Sequence, residues 1–192
     1  MSDLRPDLWK ASEANEPAPM TSEDYLRWEE CQDLPWEFDG VRPVAMNGGT
    51  WGHSLLGGNL MTALNAALAG STCRAVGPTM RVATGSGRYR YPDVVVACSV
   101  PRITRNLTEP LVIIEILSPS TAVDDRTTKL SEYQSIASLR QYVMFEQDRA
   151  FATIVSREGS GWSLKLVPAG GVIDLASLAV GLAVDPLYEG VL

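Results

Sequence analysis

The 192-residue chain is predicted to form an α/β domain, bordering on α+β, in which a mixed central β-sheet is flanked by helices. Three observations carry this. Segments with helical spacing of apolar residues alternate along the chain with short β-rich runs. The run Leu111–Leu117 is apolar on both alternating faces, as in a central strand covered on both sides. The length suits one well-buried core and is short for two.

Residues 1–20, with Pro6, Pro17 and Pro19 and little apolar periodicity, form an expected acidic, flexible leader, and residues 21–192 a single domain. Thr21 can cap a helix running through Tyr25, Leu26 and Trp28 to about Cys31, with Asp24 three residues on as in a weak capping box. Trp36–Gly40 then predicts a strand and turn, and Arg42–Met46 a returning strand. After the loop Asn47-Gly-Gly49, His53 to Ala69 has leucines 55, 56, 60, 64 and 68 on or near one stripe and predicts a helix. Strands are expected at 73–76, 80–83, 93–99 and 111–117, and a helix at 124–137 entered through Ser118-Pro-Ser-Thr121. Strands at 141–146, 150–156 and 162–166 follow, the last two joined by the turn Glu158-Gly-Ser-Gly161, then a short strand at 172–174 and a turn near Leu187.

The formal charge of −7 is unevenly spread. Residues 1–40 hold 11 acids and 3 bases, whereas residues 41–192 hold 12 acids and 13 bases. From Arg74 to Arg105 six arginines face one acid, so that segment is either a phosphate-facing surface or a set of solvated arginines. No stretch approaches the roughly 20 apolar residues of a membrane span, and the start lacks the parts of a secretory signal, which makes the cytoplasm the expected location. The three cysteines, 31, 73 and 98, include no Cys-x-x-Cys pair and read as reduced, buried thiols. One histidine excludes a multi-histidine metal site within a chain, so a metal would be held by oxygen, favouring magnesium or manganese.

Two carboxylates stand in apolar surroundings, Asp93 in Arg90-Tyr-Pro-Asp-Val-Val-Val-Ala97 and Glu115 in Leu111-Val-Ile-Ile-Glu-Ile-Leu117. Burying an ionised carboxylate is costly unless a cation, metal or strong donors compensate it. For Glu115 the alternatives are a buried salt bridge, with Arg88 or Arg90 at hand, and a metal; for Asp93 alone a turn or cap also serves. Their separation of 22 residues lets them converge from neighbouring strands, and two carboxylates with waters suffice for octahedral magnesium. His53 is either a cap contact or a proton-transfer group, and Trp51 and Tyr89 either stack on bases or pack internally.

Pro92-Asp93 followed by Glu115 in an apolar strand resembles the signature of the PD-(D/E)XK nuclease superfamily. Over longer segments, Trp36–Thr50 with His53, Tyr91-Pro-Asp93, Glu115-Ile-Leu-Ser-Pro-Ser-Thr121, and Asp125-Arg-Thr-Thr-Lys129 with Tyr133 resemble the bacterial Uma family of "putative restriction endonucleases". The resemblance implies a restriction-endonuclease-like core and metal-dependent hydrolysis of DNA phosphodiester bonds. Magnesium, or manganese in its place, would be held by Asp93 and Glu115, with Glu37 as an additional acid. The superfamily's strand lysine falls at Leu117; in this family it is supplied by the following helix, which implicates Lys129. Without the resemblance, Asp125 and Lys129 read as a solvated pair on one helical face. The missing strand lysine keeps open a catalytically inactive nucleic-acid-binding or structural module. Cleavage of both strands of a duplex would suit a homodimer.

Overall fold

A computed structural model describes residues 17–46, 48–118 and 121–192. Most of the expected leader, together with Asn47 and the Pro119-Ser120 step, lies outside the described residues. In chain order the elements are α1 (Ser22–Glu29), β1 (Trp36–Phe38), β2 (Pro43–Ala45), α2 (Trp51–Ala67), β3 (Cys73–Val76), β4 (Arg81–Ala83), β5 (Tyr89–Arg90), β6 (Val94–Cys98) and β7 (Asn106–Leu107). They continue with β8 (Val112–Leu117), α3 (Ala122–Arg126), α4 (Thr128–Gln134), β9 (Gln141–Glu146), β10 (Phe151–Glu158), β11 (Gly161–Pro168), β12 (Val172–Leu175), β13 (Val180–Ala183) and α5 (Val184–Leu187).

The predicted mixed sheet flanked by helices is the one observed. Its six strands run β11-β10-β9-β8-β6-β3, with β8 and β9 parallel and the other neighbours antiparallel. All six residues of β8 are buried, and alternation divides them between two cores. Val112, Ile114 and Ile116 face α2, whose Leu56, Leu60 and Leu64 are fully buried; Ile113 and Leu117 face Tyr133, Ile136 and Leu139 in and after α4. Each fully buried leucine contributes roughly 1.5–3 kcal/mol, so the α2 stripe alone fixes that helix on the sheet.

A second sheet, β2-β1-β5-β4-β7, brings Glu37 of β1 and Arg90 of β5 beside the first. Its strands β5 and β7 are only two residues long, too short to leave a periodicity in the sequence. The strand β13, also unforeseen, pairs with β12 in a two-stranded sheet that packs on the α2 side.

Two sequence expectations are corrected. The helix expected at 124–137 is two short helices that part at Thr127, whose φ of −125° and ψ of −81° leave the helical range and whose Oγ1 bonds Val123 O at 2.6 Å. The cysteines are not three buried thiols: Cys31 is exposed, and Cys73 and Cys98 form a disulfide. The antiparallel register sets residues 73 and 98 directly opposite, a proximity their 25-residue separation does not advertise.

Candidate active site

The site lies where β6 and β8 part. Their antiparallel ladder ends at the pair Val94↔Ile114, whereas β8 stays paired with β9 as far as Leu117. Just beyond that end, the two acids complete the ladder with side chains. Ile116 N–H donates to Asp93 Oδ2 at 2.7 Å, and Asp93 N–H donates to Glu115 Oε2 at 3.3 Å. The apolar runs around them are therefore what hold both carboxylates at the edge of a cleft of about 460 Å³, lined in part by Glu37, His53, Asp93, Glu115, Asp125 and Lys129.

Glu115 is buried and accepts a hydrogen bond from Tyr133 Oη at 2.9 Å and one from Lys129 Nζ at 3.4 Å, both on Oε1. The Lys129 ammonium also lies 3.3 Å from Glu37 Oε1 and 3.2 Å from Asp125 Oδ1. The break at Thr127 keeps Asp125, Lys129 and Tyr133 stacked toward the sheet, so the pair that reads as solvated is buried instead. Leu117, in the strand position of the superfamily lysine, is buried in the core on the α4 side.

Arg88 and Arg90 do not compensate Glu115. Arg90 donates to Glu37 Oε2 at 2.9 Å and, through Nε and Nη2, to both oxygens of Glu132 at 2.7 and 2.8 Å, while Arg88 reaches Glu132 Oε1 at 2.7 Å. A fork-shaped guanidinium suits this double carboxylate contact as a lysine would not. Arg81 pairs with Glu29 at 2.5 Å and Arg105 with Glu30 at 3.2 Å. Arg81, Arg88 and Arg90 are thus spent on ion pairs within the fold, while Arg74, Arg102 and Arg105 are exposed, as the solvated alternative expects.

The electrostatics follow from burial. Desolvation raises the Glu115 carboxyl well above its usual range, opposed by Lys129 and reinforced by Asp93, Asp125 and Glu37; Asp125 rises for the same first reason. Burial works against the Lys129 charge, but Glu115, Glu37 and Asp125 outweigh it and push the ammonium above its ordinary value. Burial also opposes the Glu132 charge, and the Arg90 and Arg88 bonds overcome it and hold that carboxyl low. Across both clusters Glu37, Glu115, Asp125 and Glu132 meet Arg88, Arg90 and Lys129, and Asp93 meets His53, so each of these acids has a basic partner.

All four sequence-predicted residues, Glu37, Asp93, Glu115 and Lys129, line the cleft. Asp125 and His53 join them. Asp125 carried a signal in its spacing of four from Lys129; its burial did not show. His53 Nε2 lies 2.9 Å from Asp93 Oδ1, and that hydrogen bond raises the imidazole pKa against the opposing effect of burial. Tyr89 stacks on Tyr25 with ring centroids 5.2 Å apart and is a packing residue, while Trp51 is exposed.

Among the described residues no group of three or more His, Cys, Asp or Glu side chains is drawn together as a ready metal shell. The donor chemistry nevertheless fits an oxygen-liganded divalent ion, which keeps several waters and needs only one or two protein carboxylates. Asp125 Oδ1 is buried within ion-pair distance of Lys129 yet accepts no hydrogen bond. No helix among the described residues is long and apolar enough to cross a membrane.

The family model Uma2, described as "Putative restriction endonuclease", matches residues 22–186. An uncharacterized protein of Synechocystis sp. PCC 6803 is 30% identical over 176 residues, which is 89% of this chain and 92% of that protein. A second from the same organism is 30% identical over 133 residues, 67% of this chain and 75% of its own length. Among solved structures, that of a "putative nuclease belonging to DUF820" from Anabaena variabilis ATCC 29413 superposes with a TM-score of 0.74 at 18% identity, covering 91% of this chain and all of that one.

Proposed function

Because the chain belongs to the Uma2 family, described as "Putative restriction endonuclease", we propose that it is a metal-dependent nuclease hydrolysing DNA phosphodiester bonds. The observation that supports this reading is the convergence on one cleft of Glu37 from β1, Asp93 from just before β6, Glu115 from β8 and Lys129 from α4. Asp93 and Glu115 would hold magnesium, or manganese in its place. The ion, when bound, polarises the phosphate and lowers the pKa of coordinated water.

The chain's own groups have definable tasks. Lys129 keeps its charge despite burial because three carboxylates surround it, so its ammonium can orient an attacking water and offset charge developing on the phosphate. Tyr133 anchors Glu115 from behind, and Glu37, held by Arg90 and the Tyr91 N–H, fixes the far side of Lys129. In this reading a lysine on a helix takes the role that a strand lysine has elsewhere in the superfamily. Duplex cleavage on both strands is served by two sites, and a homodimer by light scattering is the expected assembly.

A second reading, a nucleic-acid-binding module without turnover, is favoured by one observation: the Lys129 ammonium is engaged by Glu37, Glu115 and Asp125 together. Cleavage assays on plasmid, single-stranded DNA and RNA with Mg²⁺ or Mn²⁺ separate the two. Asp93→Ala and Glu115→Ala are expected to lose cleavage by at least about 100-fold with folding retained. Full activity in both variants removes the proposal, and metal-indifferent nucleic-acid binding without cleavage by the wild type supports the module.

A further inference from the structure

We propose that His53 is a positioning residue that sets the plane of the Asp93 carboxylate and thereby the affinity of the site for a divalent cation; this rests on the assignment of Asp93 as a ligand above. Asp93 carries one protein donor on each oxygen, Ile116 N–H on Oδ2 at 2.7 Å and His53 Nε2–H on Oδ1 at 2.9 Å. A carboxylate held by one donor turns about its last torsion, which is broad and soft. One held by two has its plane fixed, with a lone pair on each oxygen still free for a cation.

The surroundings of the imidazole suit this task. Its Nδ1 is buried and has no hydrogen-bond partner, so the ring makes its polar contact on Asp93 alone among the described residues. The ring is held by its own backbone, because His53 N–H donates to Oγ1 of Thr50, the N-cap of α2, at 3.2 Å. Gln147, just after β9, donates to the same Thr50 oxygen and ties the cap to the central sheet. Gly49 closes the pocket: a Cβ there would lie 2.9 Å from His53 Cδ2 and 3.1 Å from Cγ, inside ordinary contact distance. Partners that orient metal ligands without touching the metal typically change affinity 10–100-fold when removed.

Titration of the full chain with Mn²⁺, followed by calorimetry and by the electron paramagnetic resonance of free manganese, tests this without reference to turnover. His53→Ala is expected to weaken Mn²⁺ binding by about 10–100-fold. His53→Gln, whose amide places an N–H near the lost Nε2, is expected to recover most of it. Gly49→Ala, which keeps the imidazole but displaces it, is expected to fall between wild type and His53→Ala, and it serves as the probe if His53→Ala does not fold. Binding in His53→Ala equal to or tighter than wild type, or His53→Gln as weak as His53→Ala, overturns the inference. If Mn²⁺ binds the wild type and is lost in Asp93→Ala while His53→Ala binds normally, only the role of His53 falls. If Asp93→Ala also binds normally, the metal assignment falls and takes this inference with it.

Discussion

Replacing Lys129 by methionine keeps most of the aliphatic stem and removes the single cation shared by Glu37, Glu115 and Asp125. At an effective dielectric near 20, each contact of this length carries roughly 5 kcal/mol of attraction. That sum is not the expected loss, because the ammonium also sheds its own desolvation cost and the carboxylates can discharge by binding a proton. The cheaper escape sets the magnitude. With an ordinary carboxyl value near 4.3, one additional proton bound at pH 7 costs about 3.7 kcal/mol, and at pH 5 about 1 kcal/mol. The extra protonated carboxyl has a folded value raised above its unfolded one, so the stability it supports is present at low pH and is lost as pH rises. Urea unfolding of Lys129→Met against wild type should therefore show a deficit of about 3–4 kcal/mol at pH 7 that shrinks by about 1.4 kcal/mol per pH unit on acidification. A deficit equal at pH 7 and pH 5 would assign the effect to packing, and one below about 1 kcal/mol at pH 7 would mean that the cluster is solvated like a surface pair. Either result refutes the buried-cluster account.

The neighbouring cluster is expected to respond in the same sense. Arg90→Met leaves Glu132 with Arg88 alone and Glu37 with Lys129 alone, and should cost about 3–5 kcal/mol at pH 7, with a favourable coupling to Glu132→Gln in a double-mutant cycle; simple additivity would show that the Arg90–Glu132 contact contributes nothing. In the wild type, Glu132 supports stability above the ordinary carboxylate range and loses it only as pH falls through its lowered value, so unfolding midpoints should decline on that side of the acid limb. For the Cys73–Cys98 disulfide, thiol titration of the native, unreduced protein should find Cys31 alone reactive, and reduction should lower stability by about 2–4 kcal/mol. Three reactive thiols before reduction would contradict the bridge.

Asp93 and Glu115 were legible because a charged residue in an apolar run is conspicuous, and the segments around them carry the family resemblance. The way each is compensated was not. Arg88 and Arg90, close to Asp93 in the chain, are obvious partners on paper, yet Arg90 lies on β5 of the other sheet, and the two arginines meet Glu132 and Glu37 instead. Pairing across two sheets depends on the relative placement of both, which no local pattern encodes. The same holds for Cys73 and Cys98, whose meeting depends on strand register, and for His53, which reaches Asp93 across 40 residues because the leucine stripe of α2 fixes where that helix begins on the sheet. Periodicity, by contrast, reported the long elements well and the two-residue strands not at all.

The proposed supply of the lysine from helix rather than strand has a structural consequence for the site. A lysine at position 117 would place its stem in the core on the α4 side, where Leu117 packs with Ile113 and Leu139. With the ammonium delivered from α4, β8 remains apolar on both faces except at Glu115, and the strand can sit at the centre of the sheet without a second buried charge. The cost shifts to the helix, which must hold Asp125, Lys129 and Tyr133 in line across the break at Thr127. Lys129 pairs with both Asp125 and Glu115, and Tyr133 bonds the same Glu115 oxygen, so the three side chains share one buried cluster. Position within α3 and α4 therefore matters more to this site than position along β8: shifting Lys129 by one residue would turn its side chain about 100° around the helix, leaving Glu115 and Asp125 without their cation and Glu37 with Arg90 alone.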